Sequence, residues 1–415
     1  MALRTGSDEK RPAATANSRR APDPSTPDRA EMIARARALA PALRARAAEA
    51  ERLRALPEAS IRELHESGLF RAFQPRRVGG SELDYGLVIE VGTVLGQACG
   101  STAWVWSNLS SHHWMLAMWP ERAQSEIWGS DPDALIASAF VFPSGRAKRV
   151  PGGYELSGRW PFSSGIMHSS WVMVGALVAA AEGGPSEQRM FLVPATSYRV
   201  IDTWHVSGLC GTGSHDVAID GVFVADAFTL DVEATKRAEA PGLRLNPSAL
   251  YRIPVFATFP YLLAGPLLGV AEGAVDHYVA SARERLGSYT GQRIAEHAPV
   301  QIKIAEATAC CASARLMLTS DCREMMAMAE AHEIADDELR ARYRRNPSFC
   351  ARLATRAVDL LAEAAGGGGL YESNPLQRAF RDAHAAAAHI SLVWDAAGAI
   401  YGRVALGLPS GNSTI

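Results

Sequence analysis

The sequence predicts an α+β fold built from an N-terminal helical domain, a central β-barrel or β-sandwich and a C-terminal four-helix bundle. An Ala/Arg/Glu-rich helical pattern occupies residues 29–130, and short β-branched and aromatic runs between turn residues occupy residues 131–240. Long Ala/Leu/Arg/Glu-rich segments return over residues 241–402. Residues 1–28, rich in Arg, Pro, Ser and Thr, are predicted to be a disordered tail, and residues 403–415 a C-terminal tail.

The elements follow in a consistent order. The first domain has helical propensity over residues 29–56, and further helices are predicted near 83–98 and 102–119. In the central domain, four runs have the length of strands and lie between turn residues: 153–158, 171–178, 189–193 and 217–224. The C-terminal segments are long enough for a helical bundle and are broken at three places: residues 287–291, Asn346-Pro347 and residues 366–369.

Composition and charge exclude several classes of protein. The 415 residues carry 42 basic and 44 acidic side chains, and this formal net charge of −2 argues against nucleic-acid binding. The six cysteines include no C-x-x-C pair, and the N-terminus has no apolar stretch typical of a secretory signal. The most apolar stretch, residues 253–270, is interrupted by prolines and a glycine. We therefore expect a cytoplasmic protein that neither spans a membrane nor depends on disulfides.

No generic catalytic or metal-binding signature is present. The glycine run at residues 366–369 lies between helical segments, so it is not a dinucleotide-binding fingerprint. His384 and His389 are five residues apart and would project about 140° apart on one helix, so they predict no metal site.

Four polar side chains at segment ends are candidate catalytic groups. His112 lies among tryptophans in a helical segment, and Ser138 lies in an apolar run. Ser163 follows the apolar strand end at Trp160, and His389 has Ala, Ile, Leu and Val as neighbours. Taken singly, each is also compatible with a polar group satisfied within the core, because an imidazole in apolar surroundings is either structural or a tuned acid or base.

The order of four local motifs resembles the acyl-CoA dehydrogenase superfamily. The motifs lie at residues 75–80, 158–165, 283–287 and 366–370, the last leading to Arg381-Asp382, and the similarity extends over about residues 30–402. It implies the acyl-CoA dehydrogenase-like form of the α+β fold. In dehydrogenases of that superfamily a glutamate after the Arg-Asp pair removes the α-proton of an acyl thioester. Here no carboxylate lies between Asp382 and Asp395, and His389 occupies that region.

Where it departs from the dehydrogenases, the sequence resembles the branch of two-component flavin monooxygenases. It is similar to the oxygenase component of 4-hydroxyphenylacetate 3-hydroxylase and to actinobacterial steroid-ring phenol hydroxylases. The matching segments are residues 111–114, 162–165, 204–214 and 370–378 together with His389. Members of that branch form a flavin C4a-hydroperoxide from reduced flavin and O2, and they must protect it from water until its distal oxygen is transferred.

The resemblance implies roles for the candidate residues. Ser163 aligns with the position that contacts flavin N5, with Ser164 as a second candidate. His112 and Ser138 fall on the side of the substrate phenol, and His389 falls near the hydroperoxide.

Further flavin contacts are implied by the same resemblance. Arg283, with Arg285 beside it, matches a position that meets flavin phosphate, for which a guanidinium is well suited. The glycine run with Gly367 and Gly368 matches a region that approaches the flavin of a neighbouring subunit, which implies a homotetramer. A flexible helix connector is the alternative interpretation of this run. The remaining expected flavin contacts are Trp160, Thr212, Gly213 and Ser214.

We therefore expect the oxygenase component of a two-component flavin-dependent monooxygenase that hydroxylates a phenol or another electron-rich aromatic compound. Reduced FMN (FMNH2) is the expected cofactor, FADH2 is the alternative, and O2 is the cosubstrate. A separate NAD(P)H:flavin reductase is expected to supply the reduced flavin. The competing hypotheses are an N- or S-oxygenase of the same branch, an acyl-CoA dehydrogenase, and a catalytically silent flavin-binding protein.

Overall fold

The computed structural model describes residues 26–179, 186–287 and 291–414. The tail predicted at residues 1–28 lies outside these, except for residues 26–28. Helix formation begins directly after Asp28, whose side chain accepts a hydrogen bond from the backbone N–H of Glu31 at 2.8 Å and so caps the first helix.

Six helices form the N-terminal domain. They are α1 (Arg29–Ala45), α2 (Ala47–Leu53), α3 (Glu58–Glu66), α4 (Leu87–Gly96), α5 (Gly100–Leu116) and α6 (Glu121–Ser130). Every residue of α5 is buried, because this helix packs against α4, against the strand Ile136–Ala139 and against the long helix Val255–Glu284. Helix α5 is therefore the central element to which the other parts of the molecule attach.

The central β domain predicted from the sequence is confirmed, in the form of one mixed sheet. Its strands are β1 (Ile136–Ala139), β2 (Gly145–Val150), β3 (Gly153–Ser163), β4 (Trp171–Val178), β5 (Glu187–Pro194), β6 (Arg199–Ile201), β7 (His215–Ala225) and β8 (Thr229–Asp231). The strand order is β6-β7-β3-β2-β4-β5-β8, with β1 paired to β4 off this path. Strands β1 and β2 run parallel to β4, whereas the other pairs are antiparallel.

The C-terminal domain is helical, as predicted. A short helix, α7 (Val232–Lys236), precedes α8 (Val255–Glu284), α9 (Ala298–Glu330), α10 (Asp337–Ala365), α11 (Pro375–Ala387) and α12 (Trp394–Ala405). Helices α8 to α11 pack together, and α12 packs against α10.

The predicted break at Asn346-Pro347 is wrong, because this pair lies inside α10. The side-chain amide of Asn346 donates to the buried Asp321 at 2.8 Å, and packing against α8 and α9 holds the helix through the proline.

Helices α4 and α8 cross with their backbones in contact. A Cβ atom added to Gly96 would lie 2.5 Å from the carbonyl oxygen of Pro266, and one added to Gly269 would lie 2.3 Å from that of Thr93. Both positions therefore require glycine. Helix α8 is long and apolar enough to cross a membrane, but 94% of its most apolar window is buried inside the protein, as expected of a core helix.

Candidate active site

His112 lies in α5 and faces strand β1. Its Nδ1–H donates a hydrogen bond to the carbonyl oxygen of Ile136, which fixes the tautomer that carries the proton on Nδ1. The other ring nitrogen, Nε2, is buried and has no hydrogen-bond partner among the described residues. Burial lowers the pKa of His112 to about 4. At neutral pH the ring is therefore uncharged, and Nε2 presents a lone pair that can only accept.

Strand β1 also positions Ser138. This serine lies two residues beyond Ile136, the carbonyl partner of His112, and its side chain is nearly buried, with 8% of the residue exposed. One strand thus carries both the anchor of His112 and the second residue predicted on the substrate side.

A series of aromatic rings connects His112 with His389. The ring of Phe140 lies edge-on to His112 and to Phe259, with centroids 6.5 and 6.2 Å away. Phe259 stacks on His389 at 6.5 Å, and His389 lies edge-on to Trp104 at 5.8 Å. The structure therefore brings the two histidines, which are distant in sequence, to one apolar aromatic cluster. The sequence analysis did not identify the three aromatic residues, because nothing in their local sequence marks them.

His389 differs from His112 in which ring nitrogen carries the proton. The sequence analysis placed it on one helix with His384, but α11 ends at Ala387 and His389 lies in the turn that follows. In that turn the backbone N–H of Ser391 donates to His389 Nδ1 at 3.1 Å, so in the neutral ring the proton lies on Nε2. Loss of hydration around the half-buried ring, and then the positive charge of Arg344, lower the pKa of His389 to about 4. His389 therefore presents a donor, whereas His112 presents an acceptor.

Ser163 ends strand β3 at a point of backbone strain. The preceding residue, Phe162, has a φ of 68°, which is unusual for an aromatic residue, and its side chain points outward, with 61% of the residue exposed. Ser163 is fully buried, and its Oγ has no hydrogen-bond partner among the described residues. Its hydroxyl can therefore donate to a bound group.

A directed chain of hydroxyl groups lies beside Ser163. The Thr212 hydroxyl donates to the carbonyl of Leu209 at 2.9 Å, so it must accept from Ser214, which lies 2.7 Å away. Ser214 must then accept from Ser164 at 2.8 Å, and Ser164 accepts from Trp104 Nε1 at 3.2 Å. Each hydroxyl has a single hydrogen, so all three hydrogens are used within the chain. Ser163 is thus distinguished from its neighbour Ser164 by having a hydrogen to offer.

Trp160, Arg283 and Arg285, which were also predicted to contact flavin, are not part of this hydroxyl chain. Trp160 is fully buried in the β domain, where its ring packs on Gly145 and Gly158 and its Nε1–H donates to the carbonyl of Gly175 at 2.6 Å. Arg283 is exposed at the end of α8.

Arg285 links two of the segments predicted to contact flavin. Its Nη2 donates to the carbonyl of Ala365 at 3.3 Å, immediately before the glycine run. A Cβ atom at Gly367 or Gly368 would meet no atom within 4 Å, so these two glycines face open space, whereas Gly369 is buried. Such a surface is accessible to another molecule. Among the described residues, no group of three His, Cys, Asp or Glu side chains is placed to hold a metal ion.

Acidification is expected to destabilise the protein through three histidines whose pKa values lie below 6.5, the buried His112 and His113 and the half-buried His389. His113 accepts from Trp128 Nε1, and burial lowers its pKa to about 3. An unfolded histidine titrates near 6.5, so the unfolded chain binds more protons as the pH falls towards 4. The free energy of unfolding should therefore decrease over that interval.

The carboxyls of Asp382 and Asp321 act in the opposite direction, because burial raises the pKa of Asp382 to about 6 and also raises that of Asp321. The histidines are more numerous, because burial lowers the pKa of three others as well, namely His65, His168 and His215. Urea unfolding at about pH 7.5 and pH 5 measures the difference, and His112→Asn should reduce it. Equal stability of the wild type at both pH values would contradict the prediction.

Comparisons with known proteins identify the family of this chain. Residues 26–130 match the family model of the acyl-CoA dehydrogenase N-terminal domain, and residues 261–394 match that of the C-terminal domain. The FADH2-dependent resorcinol hydroxylase, oxygenase component, of Rhizobium sp. strain MTP-10005 is 36% identical over 404 residues, which cover 94% of this chain and 98% of that protein.

Two further proteins are similar over nearly the whole chain. The p-hydroxyphenylacetate 3-hydroxylase oxygenase component of Acinetobacter baumannii is 31% identical over 378 residues, covering 91% of this chain and 89% of that protein. The crystal structure of 3-HSA hydroxylase from Rhodococcus sp. RHA1 superposes with a TM-score of 0.88 at 36% identity, covering 93% of this chain and 99% of that chain.

The fold, the two family models and these relatives define an acyl-CoA dehydrogenase-like flavoenzyme. Within that superfamily, the chain belongs to the oxygenase components of two-component flavin-dependent monooxygenases. The resemblance, fold class and enzyme class predicted from the sequence are thereby confirmed, and the competing acyl-CoA dehydrogenase hypothesis is not retained.

Proposed function

We propose that this protein hydroxylates a small phenol next to its hydroxyl group, using reduced flavin and O2. The observation that carries the proposal is the unpartnered Nε2 of His112, a buried acceptor at an apolar aromatic cluster. A phenol O–H is the donor that such a nitrogen requires. The relatives named for resorcinol and p-hydroxyphenylacetate, both phenols, support the same substrate class.

The side chains present fit a flavin beside this cluster. The free hydroxyl hydrogen of Ser163 and the Nε2–H of His389 can donate to it, whereas the Thr212–Ser214–Ser164 chain can only accept from it. Ser164 thereby keeps its proposed place at the flavin, as an acceptor. When bound, the reduced flavin would supply the electrons that activate O2, and O2 provides the oxygen atom that is transferred.

His112 would act on the substrate as a base. Neutral Nε2 accepts a hydrogen bond from the phenol O–H, which raises electron density at the ortho carbon. It then takes the proton as that carbon receives oxygen, when the O–H becomes strongly acidic. Ser138 on the adjacent strand provides a second polar contact for the substrate. The aromatic rings of Phe140 and Phe259 keep the reacting carbon away from water.

A separate NAD(P)H:flavin reductase would supply the reduced flavin. The sequence analysis favours FMNH2, whereas the resorcinol hydroxylase is FADH2-dependent by name, which favours FADH2. Anaerobic titration of the protein with each reduced flavin, followed by tryptophan fluorescence, measures which one binds more tightly.

We also propose that the protein is a cytoplasmic homotetramer. Apolar side chains are exposed on the C-terminal domain, among them Ile302, Leu316, Leu370 and Tyr371. Packing between copies would cover them and would bring the open glycine run, with Gly367 and Gly368, and Arg283 to a neighbouring flavin. Light scattering on the purified protein measures the oligomeric state.

The proposed function is tested by reconstitution. The purified protein, a flavin reductase, NADH and either FMN or FAD are mixed with resorcinol, with 4-hydroxyphenylacetate or with a thioether, and products are identified by mass spectrometry. We expect a hydroxylated phenol only when the reductase is present. Appreciable NADH consumption without the reductase would contradict the two-component assignment, and oxidation of the thioether alone would favour an S-oxygenase.

Ser163→Ala is expected to uncouple flavin oxidation from hydroxylation. Unlike the hydroxyls of the neighbouring Thr212–Ser214–Ser164 chain, the Ser163 hydroxyl has a hydrogen to donate. A buried hydrogen bond of this kind is worth about 1–3 kcal/mol. The hydrogen peroxide formed per hydroxylated product should therefore rise, whereas binding of reduced flavin should change little. Ser157→Ala is the matched control, because Ser157 lies on the same strand and, among the described residues, its hydroxyl accepts only from the backbone N–H of Gly221. An unchanged peroxide ratio in Ser163→Ala would remove Ser163 from the site.

A further inference from the structure

The 202–214 loop, which joins β6 to β7, is closed on itself by a histidine at its end. His215 Nδ1 accepts hydrogen bonds from the backbone N–H groups of Thr203 at 3.2 Å and Trp204 at 3.3 Å. The ring therefore ties the beginning of the loop to the residue that follows its end. The His215 side chain is only 8% exposed, so water competes little for these bonds.

The same loop carries several of the residues predicted to contact flavin. Thr212 and Ser214 belong to the directed hydroxyl chain, and His215 pairs with Ser163 across strands β3 and β7. At the other end of the loop, the ring of Trp204 lies edge-on to Phe162, with centroids 6.3 Å apart. The position of the loop therefore determines the surroundings of Ser163 on two sides.

Charged groups around His215 give its ring an alternative partner. Asp202 Oδ1 lies 3.4 Å from Nδ1, and this carboxylate is held by Arg54 with one contact of 2.9 Å. His205 and Asp216 are the other titratable groups that face the ring. A protonated Nδ1 can no longer accept from the two backbone N–H groups, but it can donate to Asp202. The ring thus has two arrangements that exclude each other.

We propose that His215 is a positioning residue that closes the 202–214 loop beside Ser163, and that protonation of its ring opens the loop. Burial lowers the pKa of His215 below 6.5, so the ring is neutral and the loop closed at neutral pH. Acidification then frees the N–H groups of Thr203 and Trp204 and loosens the hydroxyl chain. The inference rests on the proposed function only for its consequence, the weaker binding of reduced flavin at low pH.

Hydrogen exchange on the flavin-free, full-length protein tests the loop directly. His215→Ala should reduce the protection factors of the Thr203 and Trp204 amides about tenfold or more, because two backbone hydrogen bonds are lost. His215→Asn, whose Oδ1 can replace Nδ1 as acceptor, should retain protection and should lose the decrease that the wild type shows between about pH 7.5 and pH 5. His205→Asn, an exposed histidine of the same loop, is the matched control and should resemble the wild type.

Anaerobic titration with FMNH2 tests the consequence for binding. The Kd of the wild type should rise as the pH falls, and that of His215→Asn should not. Two results would overturn the proposal: amide protection factors in His215→Ala equal to those of the wild type, or protection factors in His215→Asn that still fall between about pH 7.5 and pH 5. Neither result depends on which substrate the enzyme oxidises. Failure to bind or use flavin, with the exchange results as expected, would instead count against the proposed function alone.

Discussion

Replacing His112 with Asn is expected to lower the rate of hydroxylation by about 10²- to 10⁴-fold, the usual loss when a general base is removed. The asparagine amide can still donate to the carbonyl of Ile136, as Nδ1 does now, so the local fold is retained. The acceptor at Nε2, which has no partner within the protein, is lost. Single-turnover product formation measures the effect, because it separates the chemical step from the supply of reduced flavin.

His384→Asn provides a comparison on another histidine. That side chain is exposed and pairs with Asp359 at 2.9 Å, so its replacement should leave hydroxylation nearly unchanged. If His112→Asn and His384→Asn gave the same product yield, His112 would be a structural histidine of the core and the proposed base would be wrong.

Replacing Trp160 with Ala is expected to lower the free energy of unfolding by about 3–5 kcal/mol, as is typical for a large aromatic residue removed from a core. The indole is fully buried, and its N–H bonds to Gly175 inside the β domain. Trp160→Phe keeps most of the apolar contact and should lose about 1–3 kcal/mol for the unpaired carbonyl. Urea unfolding followed by circular dichroism measures both losses.

The same variants decide between two roles for Trp160. If the ring contacts flavin, as the family resemblance implied, Trp160→Phe should weaken binding of reduced FMN. If the ring only fills the core of the β domain, the Kd for reduced FMN should change little while the free energy of unfolding decreases. Phe162→Ala, two residues further along β3 and largely exposed, should cost little stability and serves as the control for position.

The fold could be predicted where patterns were long. Helices α1, α5 and α8 to α10 extend over four or more turns, and β4 was predicted with its observed ends, Trp171–Val178. Strands β1, β6 and β8 were missed because three or four residues are too few to show a periodic pattern, and β2 was missed because half of its residues are basic. The error at Pro347 has a different origin, because tertiary packing of α10 outweighed the local preference of proline.

The candidate site could be predicted only where a motif marked it. His112, Ser163 and His389 lie in recognisable segments. The tautomer of each histidine, and the lack of a hydrogen-bond partner at His112 Nε2 and Ser163 Oγ, depend on the folded backbone around them. Trp104 meets Ser164 across 60 residues, and His215 meets Trp204 through a loop. Contacts of this kind follow from strand register and helix packing, which a single sequence does not display.

The crossing of α4 and α8 limits how this protein can move. Where Gly96 and Gly269 meet, no side chains separate the two backbones, so neither helix can slide or roll without steric collision. This crossing therefore holds the N-terminal and C-terminal helical domains together and disfavours a hinge between them. We expect passage of substrate to the aromatic cluster to depend instead on the loops of the β domain and the turn after α11.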